Sequence, residues 1–406
     1  MKFRNYLLLT IFIICSYQGK AQQNQKDPII STALALISED SVEYQLQWLQ
    51  DMGTRFMMAT NHKNVASSIK ERFESYGMNE VRLDSFECYT YINYDILNYD
   101  TTTWQYNVEA KIIGSLYPEE EILVMGHYDD VQLNNDPEIF APGADDNGSG
   151  TVAVLETARV LMEMGYQPEM TIVFLATAAE ELMYFGDAGS EHYAQEAADE
   201  GRNIIAVINN DMIAYDNGTF VIGFSNIIGS EEITGIASHI TNEYTTLTAD
   251  IPSPQSSIGA DLQPFLDAGY TGLYLMESIF NPYYHTDQDI VENCDISYLT
   301  EVIKISCGSL IYSDIHVGTE ENTNNNIMIS VFPNPCTDHL NLSLSNLTEK
   351  CNISLLNTSG QVVFSTDIDP KFENSIKIVM KQLPAGVYIA RLVSKLGVIS
   401  QKVIHR

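Results

Sequence analysis

The feature that most constrains the fold of this chain is a series of short apolar runs between residues 110 and 290. Each run is followed closely by an acidic residue or a histidine. The runs are 122–125, 171–176, 204–208 and the stretch TGLYLMES at 271–278. Segments that are apolar throughout are typical of strands buried on both faces, which indicates a largely parallel sheet.

Segments with helical periodicity lie between these runs. They span 149–165, 190–201, 231–244 and 295–315, and the first two end in glycine, as helices often do. Asp295 or Ser297 could cap the last one. We expect residues 28–110 to add two amphipathic helices and the first strands. The sequence therefore predicts an α/β fold with a mixed, largely parallel sheet and helices on both faces.

Six polar residues follow these strands or lie in the loops beyond them: His127, Asp146, Glu180, Glu181, Asp211 and His285. Ligands of α/β folds bind beyond the carboxyl ends of the strands, so we expect the six to converge. A buried group of carboxylates needs a cation to compensate its charge. Imidazole and carboxylate without thiolate suit zinc, and also manganese or cobalt. A carboxylate can bridge two such ions, which together activate a water molecule.

The stretch APGADDNGSG at 141–150 has two interpretations. In the first, the glycines allow a sharp bend that aims one of the adjacent aspartates as a bridging ligand. In the second, residues 145–156 form a calcium-binding loop, with oxygen ligands at its first, third and fifth positions and Glu156 at its twelfth. Such a loop needs an incoming helix, and Pro137 and Pro142 argue against one.

Six fragments then occur in order: RF at 55–56, GHYDD at 126–130, PGADDNGSG at 142–150, AAEE at 178–181, NNDM at 209–212 and PYYHTDQD at 282–289. Together they resemble the co-catalytic zinc aminopeptidases of metallopeptidase family twenty-eight, which include secreted bacterial leucyl aminopeptidases. The resemblance covers about residues 28–316. It implies a zinc-peptidase-like α/β sandwich, a peptide-bond hydrolase that acts on peptide substrates, and two zinc ions per subunit.

The resemblance also implies a role for each matching residue. His127 and Asp211 would bind one zinc ion, Glu181 and His285 the other, and Asp146 would bridge them.

Three further residues would act beside the metals. Asp129 would orient the His127 imidazole, Glu180 would be the general base, and Tyr284 would stabilise the oxyanion.

Two alternative functions stay open on the same residues. One is a glutaminyl-cyclase-like acyltransferase on the same fold, which would use one zinc ion to cyclise an N-terminal glutamine. The other is a non-catalytic extracellular module. Such modules typically lose ligands or the base, whereas Glu180 and all five ligand positions are present here.

The two ends of the chain predict export. Residues 1–21 have Lys2 and Arg4, an apolar run and then small and polar residues, which is typical of a secretory signal peptide. No later segment is long and apolar enough for a transmembrane anchor, so we expect a secreted protein, extracellular or at the cell surface. The net charge of −33 argues against a nucleic-acid partner.

A composition shift predicts the domain boundaries. Residues 22–317 form the predicted zinc peptidase domain and 318–326 a linker. Residues 327–406 contain eight basic and five acidic residues in short alternating segments, which predicts a small all-β sandwich. Its FPNP and LPAGVYIARL stretches resemble the C-terminal sorting domain of type IX secretion, which implies that machinery as a partner. Cys336 and Cys351 could form a disulfide within it.

Overall fold

The computed structural model describes residues 26–94, 96–183, 188–316, 328–345, 350–357, 362–369, 375–394 and 397–406. The predicted signal peptide, 1–21, and linker, 318–326, lie outside these ranges. No described helix is both long enough and apolar enough to cross a membrane.

Eight α-helices occur in the described part of the chain. They are α1 Pro28–Ala35, α2 Glu39–Gln50, α3 His62–Ser75, α4 Gly150–Met164, α5 Gly189–Glu200, α6 Glu231–Tyr244, α7 Leu262–Asp267 and α8 Ile296–His316. The predicted helix ends are correct at Gly165 and Gly201, which both adopt left-handed backbone angles after the last helical turn. Asp295 rather than Ser297 caps α8, because its Oδ1 accepts the backbone N–H of Tyr298.

Eight strands before residue 278 form one sheet. They are β1 Glu80–Tyr94, β2 Leu97–Ile112, β3 Tyr117–His127, β4 Met170–Thr177, β5 Asn203–Asn210, β6 Val221–Phe224, β7 Thr248–Asp250 and β8 Gly272–Glu277. Their order is β1-β2-β4-β3-β5-β8-β6-β7. The four central strands, β4, β3, β5 and β8, are parallel. β1 and β2 pair antiparallel with each other, as do β2 with β4 and β6 with β8, whereas β6 and β7 are parallel. The predicted mixed, largely parallel sheet is confirmed.

Helices cover both faces of this sheet. Alternate residues of β3 belong to different cores: Ile122 and Val124 pack in a large cluster with α4 and α8, whereas Leu123 and Met125 pack in a smaller one with α5 and α7. The central strands are therefore buried on both sides, as their continuous apolar runs predicted. The two helices expected before residue 110 were too few, since the segment holds three.

The C-terminal part of the chain folds into two small antiparallel sheets. Its strands are β9 Met328–Phe332, β10 His339–Ser345, β11 Cys351–Asn357, β12 Val362–Ile368, β13 Ser375–Val379, β14 Gly386–Ser394 and β15 Gly397–His405. The sheet orders are β13-β10-β9 and β12-β11-β14-β15, and both sheets contribute to one apolar core. The predicted all-β sandwich is confirmed. The suggested disulfide is wrong, because Cys336 and Cys351 are both buried free thiols.

Candidate active site

The predicted metal ligands meet at the carboxyl ends of β3, β4 and β5. His127 is the last residue of β3, Asp211 follows β5 directly, and Glu181 lies four residues beyond β4. Since these three strands are adjacent and parallel, their carboxyl ends share one edge of the sheet. His285 reaches the same place from the loop after β8.

Asp146 reaches the site through the irregular turn that precedes α4. Two glycines allow this turn to pack against the strand ends. A Cβ atom on Gly150 would lie 2.1 Å from the carbonyl oxygen of Asn210, and one on Gly126 would lie 2.8 Å from the carbonyl carbon of Gly150. The start of α4 therefore lies directly against β3 and β5, and this contact sets the position of Asp146.

The five residues form two groups that share Asp146. In the first, His127 Nε2 is 3.5 Å from Asp146 Oδ1 and 3.5 Å from Asp211 Oδ1. In the second, His285 Nε2 is 3.2 Å from Asp146 Oδ2 and 2.8 Å from Glu181 Oε2. In each group the candidate ligand atoms all lie within 4.8 Å of one another. Asp146 thus presents one carboxylate oxygen to each group, as a bridging ligand would.

The histidine nitrogens that face these carboxylates are buried and make no hydrogen bond. This is true of Nε2 in both His127 and His285, and also of the second carboxylate oxygen of Glu181. A buried polar atom normally has a partner. Two imidazole nitrogens and a carboxylate oxygen without partners, gathered in one place, are typical of a cation site. This set of donor atoms therefore fits metal ions.

The pKa values of the site residues also indicate a place for a cation. Burial raises the pKa of Glu181 to about 8, and Asp146 adds to the shift while His285 opposes it. Burial also raises the pKa of Glu180 well above its usual range. Burial lowers the pKa of His285, but Glu181 and Asp146 outweigh that effect and raise it to about 10. By itself the cluster therefore holds protons, and a cation would replace them.

Asp129 contacts both the His127 imidazole and the backbone of Glu180 and Glu181. Its Oδ1 and Oδ2 accept the backbone N–H groups of Glu180 and Glu181 at 3.1 and 3.2 Å. Its Oδ1 is also 3.6 Å from His127 Nδ1, and that nitrogen is 3.2 Å from the Asp129 carbonyl oxygen. The residue that was expected to orient the imidazole therefore also fixes the Glu180–Glu181 backbone.

Glu180 and Tyr284 both line a cavity of about 470 Å³ above the two groups. The Glu180 Oε2 atom is 3.8 Å from His127 Nε2. The Tyr284 ring stacks on the His285 ring with 3.7 Å between the centroids. Burial and the nearby carboxylates raise the pKa of Tyr284, so its hydroxyl keeps its proton and can donate a hydrogen bond.

Asp145 is directed away from the cavity. Its Oδ1 accepts the backbone N–H of Ala214 and its Oδ2 accepts Asn281 Nδ2. Burial and Asp145 raise the pKa of Glu277 to about 11, so Glu277 carries a proton that it can share with Asp145. Of the two adjacent aspartates, only Asp146 faces the histidines.

The calcium-loop interpretation of residues 145–156 is wrong. The Glu156 carboxylate accepts hydrogen bonds from Gln45 Nε2 and from the Arg159 guanidinium, and it lies in α4 away from the turn. The turn itself follows Gly143 without a preceding helix.

Three supporting residues were not identified from the sequence. Asp289 accepts the backbone N–H groups of Asp145 and Asp146 at 2.9 and 3.0 Å, which anchors the turn. The Tyr274 hydroxyl donates to Asp211 Oδ2 at 3.1 Å. Arg55, buried beside the turn, donates to the carbonyl oxygen of Gly143 at 2.7 Å. Arg55 lies in the RF fragment and Asp289 in the PYYHTDQD fragment, whereas no local sequence pattern marked Tyr274.

Two family models match this chain. The model of Peptidase family M28 matches residues 107–309, which is half of the chain, and the model of the Secretion system C-terminal sorting domain matches residues 330–406.

Curated relatives agree with the first model. A probable aminopeptidase of Saccharomyces cerevisiae is 29% identical over 53% of this chain and 59% of its own length. Leucine aminopeptidase 1 of Ajellomyces dermatitidis is 28% identical over 52% and 57%. A probable zinc metalloprotease of Pyrenophora tritici-repentis is 28% identical over 62% and 66%. The chain thus spans less than two thirds of the length of these relatives.

Solved structures show the same fold. LapB from Legionella pneumophila aligns with a TM-score of 0.59 and 20% identity over 72% of this chain and 76% of its own. A leucine aminopeptidase precursor from Bacteroides thetaiotaomicron aligns with a TM-score of 0.53 and 20% identity over 68% and 97%. The family model matches half of the chain, and the fold agrees with it: this chain belongs to peptidase family M28.

Proposed function

We propose that the protein is a secreted di-zinc aminopeptidase that removes N-terminal residues from peptides. One observation carries the proposal. Two groups of ligand atoms share Asp146, include the buried, unpartnered Nε2 atoms of two histidines, and lie beside Glu180 at the floor of a cavity. Similarity to relatives named as aminopeptidases and as a zinc metalloprotease supports it.

The distances within the two groups support the ligand sets. His127 and Asp211 would hold one zinc ion, His285 and Glu181 the other, and Asp146 would contribute one oxygen to each. When bound, the ions would supply an activated water molecule and stabilise charge on the substrate carbonyl oxygen. The Tyr274 hydroxyl would keep Asp211 Oδ1 turned towards its ion, since it occupies Oδ2.

The remaining side chains would handle the proton and the peptide. Glu180 lines the cavity beside His127, so its carboxylate can take a proton from water and pass it to the leaving amine. Asp129 would hold Glu180 in place through its backbone N–H. The Tyr284 hydroxyl would donate a hydrogen bond to the developing oxyanion.

The test of this proposal is the variant Glu180→Ala. We expect two zinc ions per chain in both proteins, and hydrolysis of leucyl-anilide slower by about 10²–10⁴-fold in the variant, because a general acid–base contributes on that order. The matched control is Glu200→Ala, which removes an exposed glutamate at the end of α5. Undiminished turnover in Glu180→Ala would contradict the assigned base.

The glutaminyl-cyclase-like alternative would use one zinc ion, whereas two groups of candidate ligand atoms, each within 4.8 Å, support a pair of ions. Peptides that begin with glutamine separate the two functions. An aminopeptidase releases free glutamine and a shortened peptide, whereas a cyclase leaves a pyroglutamyl peptide with the other residues unchanged.

We also propose that residues 330–406 direct the protein to the type IX secretion machinery. The match to the sorting-domain model supports this role. A reporter protein that carries this segment should appear outside a bacterium that has the machinery, and should stay inside a strain that lacks it. Equal export from both strains would contradict the proposed partner.

A further inference from the structure

The cavity above the ligand groups has apolar walls on two opposite sides. On one side lie Met212, just after β5, Tyr274 and Met276 in β8, and Phe280 in the loop after β8. Ile92 and Leu97 line it from the other side, at the tip of the hairpin formed by β1 and β2. These walls belong to opposite halves of the sheet, because β1 and β2 lie beyond β4 whereas β8 lies beyond β5.

The hairpin reaches the cavity because of its strand direction. β2 runs antiparallel to β4 and pairs Val108 with Ala176 near the carboxyl end of β4. The residues of β2 that precede Val108 therefore continue past that end, over the site. Residues 80–106 precede the segment that the family model matches, residues 107–309.

The hairpin is held against the rest of the domain. Its inner face includes Thr90, Ile92 and Leu97, which are all almost fully buried. The Tyr99 ring lies 5.9 Å from the Phe56 ring, and its hydroxyl donates to Glu138 at 2.8 Å. A wall fixed in this way can discriminate between side chains by shape and polarity.

The direction of the substrate follows from the position of the base. Under the proposed function, Glu180 gives its proton to the leaving amine, so the leaving peptide must start beside Glu180. Glu180 follows β4, the strand next to β2, whereas Asp211 and Met212 follow β5, next to β8. The N-terminal residue therefore occupies the β8 side of the cavity, and the second residue faces the hairpin.

We propose that the hairpin tip forms the binding subsite for the second residue of the substrate, and that Ile92, Leu97 and Leu133 make it select apolar side chains. Leu133 lines the same cavity, is only half-buried, and its backbone N–H donates to the carbonyl oxygen of His285 at 3.0 Å. This inference rests on the proposed aminopeptidase function.

The experiment measures kcat/KM of the zinc-loaded protein on Leu-Phe-Gly, Leu-Ser-Gly and leucinamide, which has no second residue. We expect the wild type to prefer Leu-Phe-Gly over Leu-Ser-Gly by about tenfold, the scale of discrimination by one apolar contact. The double variant Ile92→Ser/Leu97→Ser and the single variant Leu133→Ser should each bring this ratio towards one.

The matched control is Ile96→Ser. Ile96 lies in the same turn, but it is exposed and does not line the cavity. Its ratio should equal that of the wild type. A smaller folded fraction lowers the rates on Leu-Phe-Gly and Leu-Ser-Gly equally, so it does not change their ratio. Leu133→Ser tests the same subsite without a change in the hairpin.

The outcomes separate this inference from the proposed function. If the wild type hydrolyses leucinamide but shows a ratio near one, or if the variants keep the wild-type ratio, the subsite is refuted and the aminopeptidase function stands. If the wild type hydrolyses none of the three substrates, the function itself is refuted.

Discussion

Two clusters of histidine and carboxylates occur among the described residues of the sheet domain, and they differ in how their charge is compensated. One is the site around Asp146. The other consists of Asp84, His192 and Glu196, whose candidate ligand atoms also lie within 4.8 Å of one another. In the second cluster, His192 Nε2 is 3.4 Å from Asp84 Oδ1, and the Arg82 guanidinium contacts both carboxylates. We call these the central cluster and the edge cluster.

The comparison shows that the grouping of ligand atoms is not sufficient for a metal site. The edge cluster is compensated by an arginine, so a divalent ion would have to compete with a charge already in place. The central cluster has buried Nε2 atoms without hydrogen bonds and no arginine or lysine in its recorded ion pairs among the described residues. Negative charge that no arginine or lysine compensates, rather than the density of ligand atoms, distinguishes the proposed active site.

The largest expected effect separates the two clusters by activity. His285→Ala should remove a ligand and lower kcat/KM for leucyl-anilide by about 10³-fold or more, because electrostatic stabilisation and water activation depend on the metal. His192→Ala is the matched control at the edge cluster and should keep wild-type kinetics. Equal losses in both variants would show that the comparison is wrong.

The next effect is a pH dependence of zinc binding to the metal-free protein. Zinc needs Glu181 ionised, and the pKa of Glu181 in the metal-free site is about 8. His285, the other proposed ligand of this ion, must also lose a proton, because its pKa is about 10. As the pH falls below 8, two protons therefore compete with zinc, and the affinity of this site should fall by about a hundredfold per pH unit. Titration with a zinc-buffered competitor between pH 6 and pH 9 measures this, and an affinity that is independent of pH would contradict it.

A smaller effect is expected for Tyr274→Phe. The variant removes the hydroxyl that holds Asp211 Oδ2 but keeps the ring that lines the cavity. Loss of a hydrogen bond to a metal ligand typically weakens metal affinity by about 10–100-fold. Tyr270→Phe is the control, because Tyr270 donates to the backbone of Arg202 and lies outside the cavity lining. Unchanged zinc affinity in Tyr274→Phe would remove Tyr274 from the supporting residues.

The smallest effect concerns the edge cluster alone. The hydrogen bond that His192 donates to Asp84 raises the pKa of His192, although burial opposes the shift. Asp84→Asn should therefore lower the pKa of His192, which can be followed by NMR titration. In the wild type, this pair adds stability while His192 is protonated, and the contribution is lost as the pH rises through its raised pKa. A higher pKa in the variant would contradict the assigned pair.

The periodicity of the sequence was sufficient to predict the parallel core and the convergence of the six polar residues. Continuous apolar runs such as 171–176 define buried strands, and adjacent parallel strands must place their following residues together. The glycines at 165 and 201 also end helices where expected, because a left-handed residue is a local requirement.

What the sequence did not predict depends on long-range contacts. Asp289 anchors a turn 144 positions earlier in the chain, and Tyr274 contacts Asp211 through a pairing of β5 with β8 that no local pattern specifies. The reach of the hairpin over the site also follows from its register with β4. The ligand roles at the site stay predictions until metal is measured.

The most direct test is the number of zinc ions per chain after metal loading, measured by mass spectrometry of the intact folded protein. The proposal predicts two in the wild type, two in His192→Ala, and a loss of tight binding at both sites in Asp146→Ala, because that carboxylate serves both groups. A single zinc in the wild type, or two zinc ions still tightly bound in Asp146→Ala, would contradict the bridged pair.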